Sequence, residues 1–310
     1  MTKVFIDGSA GTTGLRIYER LSGRKDLELL ILPDELRKNP DARRQMLALA
    51  DIAFLCLPDK AAIEAVSLIE NDHVAVIDTS TAHRTNDDWA YGFAELSPAH
   101  REAIRTSKRI ANPGCHASGF IAGCYPLVAH GVVPADFPLT AYSLTGYSGG
   151  GKTLIAEYEA ADRDVRHESH RIYGTQLQHK HLPEMQKLCN LKYQPVFSPI
   201  LGDFYAGMAT SILLPRFDAQ KVWECLADHY AGEKIVLIEN EFGEIGIDGG
   251  FMQEAGIQVN EMNSGCICCS LVGDFGKALT KVIDEYNPDR IVIEPSGVGK
   301  LSDVIAAVEK

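Results

Sequence analysis

The stretch Asn112-Pro113-Gly114-Cys115-His116-Ala117-Ser118-Gly119 joins two patterns that together decide the fold. Residues 108–111 before it predict a short strand, and the apolar run 120–128 after it predicts a helix. The Pro-Gly turn places Cys115 at the N-terminus of that helix, where unpaired N–H groups and the helix dipole favour an anion. Cys115 is therefore a candidate nucleophile, with N–H groups available to an oxyanion. The alternative is a small, buried and inert cysteine.

Upstream of this stretch, apolar strand segments alternate with helical segments. Apolar strands are typical of a parallel sheet that helices cover on both faces. The alternation predicts an α/β fold with a Rossmann-like, doubly wound dinucleotide domain. The predicted strands are 4–7, 27–32, 52–57, 74–77 and 108–111, and the predicted helices are 15–21, 41–49 and 61–69.

The first strand runs into a glycine-rich turn that opens the first helix. Its glycines, Gly8, Gly11 and Gly14, follow the spacing G-x-x-G-x-x-G, which differs from the usual dinucleotide fingerprint. Glycine lets the backbone approach a pyrophosphate, and the helix N-terminus supplies donors. We expect a dinucleotide at this turn, which also contains Thr12 and Thr13. A glycine turn that binds nothing is the alternative.

The residues after the second predicted strand bear on the choice of cofactor. Asp34 and Glu35 would suit a ribose 2′-hydroxyl, whereas Arg37 and Lys38 would suit a 2′-phosphate. We expect NADP, with Arg37 as a contact. The alternative is a solvated charge cluster with no ligand.

The composition argues against several classes of function. A chain of 310 residues is long enough for two domains, and a formal net charge of −12 without a basic stripe argues against nucleic acid and anionic membranes as partners. No apolar run approaches membrane-spanning length, and the first strand begins without a signal-peptide segment, which predicts a cytoplasmic protein. There, the eight cysteines are expected to be thiols, metal ligands or a nucleophile.

A second glycine-rich segment lies downstream of Cys115. Residues 146–153 follow a predicted strand, 139–145, precede a predicted helix, 154–161, and satisfy the P-loop pattern G-x-x-x-x-G-K-[ST]. However, the segment comes after a complete predicted dinucleotide-binding domain. No strand with a terminal aspartate lies at the usual distance to hold Mg²⁺, so we do not expect a nucleotide triphosphatase.

Four histidines follow this segment. Their spacings could suggest a metal, but no cysteine or carboxylate set nearby has zinc-site spacing. One histidine acting as an acid or base toward Cys115 is the favoured interpretation. The histidines are His167, His170, His179 and His181, and the strands predicted beyond them are 196–201 and 208–214, followed by a helix at 219–229.

Six motifs succeed one another along residues 1–232: 8–14, 78–84 (DTSTAHR), 91–96 (YGFAEL), 112–115 (NPGC), 146–152 and 179–184 (HKHLPE). In this order they resemble the N-acetyl-γ-glutamyl-phosphate reductase family of the shorter bacterial type. They are more distantly similar to aspartate-semialdehyde dehydrogenases. The resemblance implies an NADP-binding domain at 1–114 and an α+β catalytic and dimerisation domain at 115–232.

The resemblance also implies a reaction, an NADPH-dependent reductive dephosphorylation of a small acyl phosphate in arginine biosynthesis. Cys115 would attack the acyl carbon and expel phosphate, leaving a thioester, and a hydride from NADPH would then lead to the semialdehyde. The family pattern further suggests a homo-oligomer.

Individual roles follow from the same resemblance. His181, with His179 as the close alternative, would move the proton. Arg84 would bind a carboxylate or phosphate of the substrate. The second glycine-rich segment would contact the dinucleotide, which accounts for the P-loop pattern without a triphosphatase, through Ser148, Gly149 and Gly150.

Residues 233–310 do not follow the reductase pattern. Three of their stretches, 233–248 (EKIVLIENEFGEIGID), 265–269 (GCICC) and 291–297 (IVIEPSG), resemble a CobW-type GTPase or metallochaperone. Three thiolates at the C-x-C-C spacing could share one zinc ion, and reduced, unliganded cysteines are the alternative. These candidate metal ligands are Cys266, Cys268 and Cys269.

The sequence therefore predicts a fusion of a reductase with an internal CobW-like fragment. The fragment has no P-loop of its own at the expected place, so nucleotide turnover is not expected. Replacement of the family's usual tail would expose apolar sheet surface, and we expect impaired reductase activity. A metal-binding CobW-type module and an inert fusion are the alternative hypotheses.

Overall fold

The computed structural model describes residues 1–230 and three further strands, 235–239, 258–261 and 290–294. The chain forms two compact units, Met1–Phe217 and Asp218–Lys310, and each is described by itself. The boundaries predicted at 114 and 232 stay predictions.

The first unit begins with a six-stranded, entirely parallel sheet, which confirms the predicted α/β class. The strand order is β2-β1-β3-β4-β6-β5. Its strands are β1 (Thr2–Asp7), β2 (Leu27–Leu30), β3 (Ile52–Leu55), β4 (Ala75–Asp78), β5 (Ala90–Tyr91) and β6 (Arg109–Ala111). The helices that accompany it are α1 (Thr12–Leu21), α2 (Pro40–Leu49), α3 (Asp59–Ser67) and α4 (Pro98–Thr106).

The first strand occupies the point at which the strand order reverses. β1 pairs with β2 on one side and with β3 on the other. In open parallel sheets, ligands bind beyond the carboxyl ends of the strands at such a point. The apolar side chains of Phe5, Leu47 and Ala53 are buried together beneath this edge, so a packed core supports the glycine turn that follows β1.

The strand β6 leads into the long helix α5 (Cys115–Ala129), which confirms the predicted position of Cys115 at the helix N-terminus. Gly114 is the N-cap with extended backbone, φ −72° and ψ 142°, and makes no side-chain cap.

A second, mixed sheet of four strands completes the first unit, in the order β10-β7-β9-β8. β7 (Thr140–Gly146) and β9 (Val196–Gly202) are parallel, and β8 (Arg171–Ile172) and β10 (Met208–Leu213) run antiparallel to their neighbours. Two short helices, α6 (Gly151–Glu159) and α7 (Leu182–Leu188), lie between these strands in the chain. The sequence predicts α6 but neither α4 nor α7.

Helix α5 packs closely against the second sheet. A Cβ on Gly119 would lie 2.5 Å from the hydroxyl oxygen of Thr210, and a Cβ on Gly123 would lie 2.9 Å from Cδ1 of Ile212. The glycines on this face therefore let the helix approach β10 at short range. This contact fixes the helix that presents Cys115.

The second unit contains the helix α8 (Ala219–Tyr230) and a three-stranded parallel sheet in the order β12-β11-β13. Its strands are β11 (Ile235–Glu239), β12 (Gln258–Glu261) and β13 (Arg290–Glu294). The candidate zinc ligands Cys266, Cys268 and Cys269 lie outside the described residues, so the predicted metal site stays a prediction. Within the described part of the chain, no helix is both long and apolar enough to cross a membrane.

Candidate active site

Cys115 stands at the carboxyl edge of the first sheet, where β6 ends, and its side chain is exposed. The N-cap residue Gly114 makes no side-chain hydrogen bond to the first turn of α5, and that turn contains no acidic residue. Its N–H groups can therefore donate to an anion formed beside the sulfur. This geometry suits a thiol that attacks a carbonyl carbon.

The residue after the nucleophile is held in a chain of polar side chains. His116 is buried, with Nδ1 2.9 Å from the Ser143 hydroxyl and Nε2 2.7 Å from the Tyr173 hydroxyl. The Ser143 hydroxyl in turn lies 3.0 Å from that of Thr210. Both ring nitrogens of His116 are thus engaged, and the chain connects α5 to the second sheet beside Cys115.

The two histidines of the HKHLPE motif lie against His116. The ring centroids of His179 and His181 are 4.7 Å apart, and their distances to the His116 ring are 5.4 and 5.8 Å. A Cβ on Gly114 would lie 2.6 Å from Nε2 of His181, so His181 touches the residue before Cys115. The structure brings both predicted acid–base candidates to His116, the residue after the nucleophile, and their roles stay predictions.

Burial keeps these imidazoles neutral at physiological pH. It is the main cause that lowers the pKa of His116 to about 4 and that of His181 to about 2, with neighbouring positive groups contributing further. The pKa of His179 is also lowered by burial, although its ring is only half-buried. Nδ1 of His181 is buried and has no hydrogen-bond partner among the described residues. A proton is therefore least costly on His179.

Glu184 on α7 is the hub that fixes the backbone before Cys115. One carboxylate oxygen accepts from Nη1 of Arg84 at 2.9 Å. The other accepts from the Tyr91 hydroxyl at 2.8 Å and from the backbone N–H of Gly114 at 3.1 Å. Glu184 is 1% exposed, so this carboxylate is removed from water and its hydrogen bonds are all within the protein.

Arg84 supports the same arrangement from the first sheet. It is buried, and its Nε, Nη1 and Nη2 donate at 2.9 Å to the carbonyl of Asn112, to Glu184 and to the carbonyl of Thr79. The loop that carries it is shaped by Asp78, which accepts from Ser80 and contacts Nδ1 of His83 at 2.6 Å. These contacts favour a positioning role for Arg84 over the substrate contact that the sequence predicts.

The turn after β1 has the shape of a dinucleotide cradle. Gly8 has φ +89°, and a Cβ there would lie 2.3 Å from the Cys56 carbonyl oxygen at the end of β3. A Cβ on Gly14 would lie 2.3 Å from the carbonyl oxygen of Gly8, so the first turn of α1 packs directly on the loop. Gly11 caps α1 without a side-chain bond, which leaves N–H donors at Thr12 and Thr13 for a pyrophosphate. The residues present fit a dinucleotide.

The second glycine-rich segment lies against this turn. Gly151 has φ +79°, and a Cβ added to it would lie 3.7 Å from the Thr12 hydroxyl oxygen, which is van der Waals contact. The backbone N–H of Ser148 donates to the Tyr205 carbonyl at 2.9 Å, and Gly149 and Gly150 are exposed. The structure thus brings both predicted groups of cofactor contacts to one edge, although the ligand contacts themselves stay predictions.

Arg37 follows β2, the neighbour of β1, and therefore lies beyond the same edge of the sheet. It is paired with Asp34, with Nη2 3.1 Å from the carboxylate. A 2′-phosphate would have to compete with that carboxylate, and the predicted contact stays a prediction.

Several residues of the site lie outside the individual roles that the sequence predicts, namely Tyr91, His116, Tyr173 and Glu184. Tyr91 and Glu184 lie inside quoted motifs, but their contact joins residues 93 positions apart. Tyr173 borders the nucleophile, since burial first and the charge of Cys115 second raise its pKa to about 12. His116 could be suspected only from its place directly after Cys115.

Comparison with known proteins places this geometry in a family. A model of the semialdehyde dehydrogenase dimerisation domain matches residues 115–269, and a model of the semialdehyde dehydrogenase NAD-binding domain matches residues 33–105. The chain is 49% identical over 236 residues to N-acetyl-γ-glutamyl-phosphate reductase of Chelativorans sp. strain BNC1, covering 74% of this chain and 76% of that one. The chain belongs to the semialdehyde dehydrogenase family, alongside the N-acetyl-γ-glutamyl-phosphate reductases.

A second relative and two solved structures extend the comparison. The N-acetyl-γ-glutamyl-phosphate reductase of Trichormus variabilis is 44% identical over 246 residues, which is 76% of each chain. The solved aspartate-semialdehyde dehydrogenase II of Vibrio cholerae has the same fold, with a TM-score of 0.54 at 16% identity over 81% of this chain and 85% of that one. The enzyme of Candida albicans gives 0.52 at 17% identity over 83% and 87%. The family match also extends past residue 232, into the segment that the sequence assigns to a different origin.

Proposed function

We propose that this chain is an NADPH-dependent N-acetyl-γ-glutamyl-phosphate reductase that works through a thioester on Cys115. The observation that carries the proposal is an exposed cysteine at the N-terminus of α5, beside three neutral imidazoles and at the same sheet edge as the glycine turn. The relatives named N-acetyl-γ-glutamyl-phosphate reductase supply the substrate.

The first chemical step belongs to Cys115. Its sulfur attacks the acyl carbon, the C–O bond to phosphate breaks, and phosphate leaves with the bonding electrons. The N–H groups at the start of α5 donate to the carbonyl oxygen as it becomes negative. Glu184 holds the backbone N–H of Gly114, so the geometry of that helix start is fixed before substrate binds.

A bound NADPH supplies the hydride that reduces the thioester carbonyl. The glycine turn after β1 and the segment 148–150 would hold it, with Arg37 at the 2′-phosphate. The name of the Candida albicans structure includes NADP, which agrees with this choice of cofactor.

We assign the proton transfer to His179 in preference to His181. A neutral imidazole accepts the proton of the Cys115 thiol and returns it when the sulfur leaves. His181 is only 3% exposed and lies close to the cationic Arg84, which together make a proton there costly. His179 is half-buried and packs against the hydroxyl-bearing ring of Tyr173 at 6.0 Å. The ring of His181 instead packs against Gly114 and His116 and makes no cap hydrogen bond to α7.

The proposal includes self-association and a cytoplasmic location. The family's dimerisation domain supports a homo-oligomer. We infer that residues 233–310 are a CobW-like fragment. The support for that origin is the C-x-C-C pattern and the two other CobW-like motifs of the sequence. Zinc content of the full chain beside Cys266→Ser tests it, since one metal per chain, lost in the variant, is the expected result.

The activity is tested by NADPH oxidation with N-acetyl-γ-glutamyl phosphate on the full chain. Cys115→Ser should be inactive, and Cys225→Ser, which changes a cysteine of α8, should match the parent chain. An active Cys115→Ser protein would refute the thioester route. An inactive parent chain would refute the proposed activity of this chain.

A further inference from the structure

The loop 203–207 joins β9 to β10 and passes over the end of β7, because those two strands lie on either side of β7 in the second sheet. A Cβ on Gly146, the last residue of β7, would lie 2.7 Å from the carbonyl oxygens of both Phe204 and Tyr205. Glycine at this position therefore allows the loop to approach the strand closely. The second glycine-rich segment begins at the point that the loop covers.

The loop binds the start of that segment through the backbone. The N–H of Tyr147 donates to the carbonyl of Phe204 at 2.9 Å, and the N–H of Ser148 donates to the carbonyl of Tyr205 at 2.9 Å. The rings of Tyr147 and Tyr205 also meet edge to face, with their centroids 5.7 Å apart. The loop thus fixes the first two residues of the segment 147–150.

Tyr205 also contacts the first helix of the dinucleotide domain. Nη2 of Arg16 donates to the Tyr205 hydroxyl at 3.2 Å, across 189 positions of the chain. Arg16 lies two positions after Gly14, on the helix whose first turn packs on the glycine turn. The start of the loop is held separately by Asp203, which accepts from Nη1 and Nη2 of Arg163, both at 2.9 Å. One tyrosine therefore joins the segment 147–150, through its carbonyl, to α1, through its hydroxyl.

We propose that Tyr205 is a positioning residue that holds the segment 147–150 against α1 and thereby sets the affinity for the dinucleotide. The inference rests on the proposed function, in which both glycine-rich segments hold NADPH. The segment itself supplies little rigidity, because Gly149, Gly150 and Gly151 are consecutive and glycine loses the most conformational freedom when it is ordered. A contact that orders the segment before the cofactor binds removes this cost from binding.

A direct contact between Arg16 and a phosphate of the dinucleotide is the competing interpretation. The two interpretations differ in what they require of the Tyr205 hydroxyl. Positioning needs both partners of the hydrogen bond, whereas a direct phosphate contact needs the guanidinium alone. Tyr205→Phe removes the hydroxyl and keeps the ring that contacts Tyr147, so this variant separates the two.

Fluorescence titration of the full chain with NADPH measures the effect. Tyr205→Phe should raise Kd for NADPH about 5-fold, the order of magnitude expected for a lost hydrogen bond. Arg16→Gln should raise it by a similar factor, and the double variant should be no weaker than either single variant, because both act through one contact. Tyr193→Phe, at an exposed tyrosine before β9, is the matched control and should leave Kd unchanged.

An unchanged Kd in Tyr205→Phe would overturn the inference, and a raised Kd in Arg16→Gln alone would assign Arg16 to the dinucleotide itself. Additive effects in the double variant would also overturn it. In a chain with reductase activity, KM for the acyl phosphate should stay within about twofold in Tyr205→Phe. An equal rise in both KM values would overturn the specific link to the cofactor.

Hydrogen exchange tests the positioning contact without cofactor or turnover. The amides of Tyr147 and Ser148 should exchange about 5-fold faster in Tyr205→Phe than in the parent chain, as mass spectrometry of the peptide that contains them would show. Equal exchange would overturn the inference, whether or not the chain is a reductase. A parent chain that binds NADPH without reducing the acyl phosphate would refute the proposed function alone, and one that binds no NADPH would overturn both.

Discussion

The carboxylate of Glu184 accepts a hydrogen bond from the backbone N–H of Gly114 at 3.1 Å, across 70 positions of the chain. This contact ties α7, which follows the HKHLPE histidines, to the residue before the nucleophile. The same carboxylate pairs with buried Arg84, so one side chain joins α7 to the loop after β4 and to the start of α5. The reactive end of α5 is therefore positioned by hydrogen bonds that form without substrate.

We expect Glu184→Gln to destabilise the protein by about 3 kcal/mol, because it leaves the Arg84 guanidinium buried without a countercharge. The free energy of unfolding measured with urea checks this, together with kcat. Glu102→Gln, at an exposed ion pair with Arg105 on α4, should leave both values nearly unchanged. Equal changes in the free energy of unfolding and in kcat for the two substitutions would contradict the positioning role of Glu184.

His179→Asn should lower kcat by about 10² to 10⁴, the usual contribution of a general acid–base group, with little change in stability. His181→Gln should lower kcat mainly by disturbing the packing of this side chain against Gly114, the residue before Cys115. Steady-state kinetics and thermal unfolding of both variants distinguish these effects. If His181→Gln proves the more damaging to kcat at unchanged stability, the assignment reverses to the one that the sequence favours.

The buried histidines predict a loss of stability in acid. Burial holds the pKa of His181 at about 2 in the folded chain, against an ordinary value near 6.5, so unfolding takes up a proton over that interval. The stabilisation is complete above pH 6.5 and declines as pH falls toward 2. Between pH 6.5 and 5 the free energy of unfolding should fall by about 2 kcal/mol more in the parent chain than in His181→Gln. Urea titrations at each pH measure this difference. If the free energies of unfolding of the two proteins fall in parallel with pH, His181 is not buried in its neutral form.

The glycine turn gives a matched pair of substitutions. Gly8→Ala forces a side chain into a backbone with φ +89° and against the Cys56 carbonyl. It should lower the free energy of unfolding by about 2 kcal/mol or more, and it should abolish cofactor binding. Gly23→Ala, where nothing lies within 4 Å of the new Cβ, should be almost neutral. Denaturation curves and NADPH fluorescence titration measure the two effects. Retained cofactor binding in a folded Gly8→Ala protein would argue against the cradle.

Local patterns were sufficient to predict every strand of the first sheet except β5, and the edge at which the candidate site lies. Apolar strands, the glycine turn and the Pro-Gly-Cys turn each depend on neighbouring residues, and parallel strands necessarily end at one edge. The role of Arg84 was not predictable in the same way. Its main partner, Glu184, is 100 positions away, so an arginine in a motif gives no sign of whether its guanidinium is free or buried.

The helix α7 illustrates the same limit. Its seven residues are too few for a clear period, and its importance comes from Glu184 and from the histidines before it.

The most direct test of the central claim is the mass of the chain after mixing with acyl phosphate in the absence of NADPH. We predict one added acyl group on the peptide that contains Cys115, its release as aldehyde when NADPH is supplied, and its loss in Cys115→Ser. Turnover of acyl phosphate to the semialdehyde by a chain that never carries this acyl group would contradict the account.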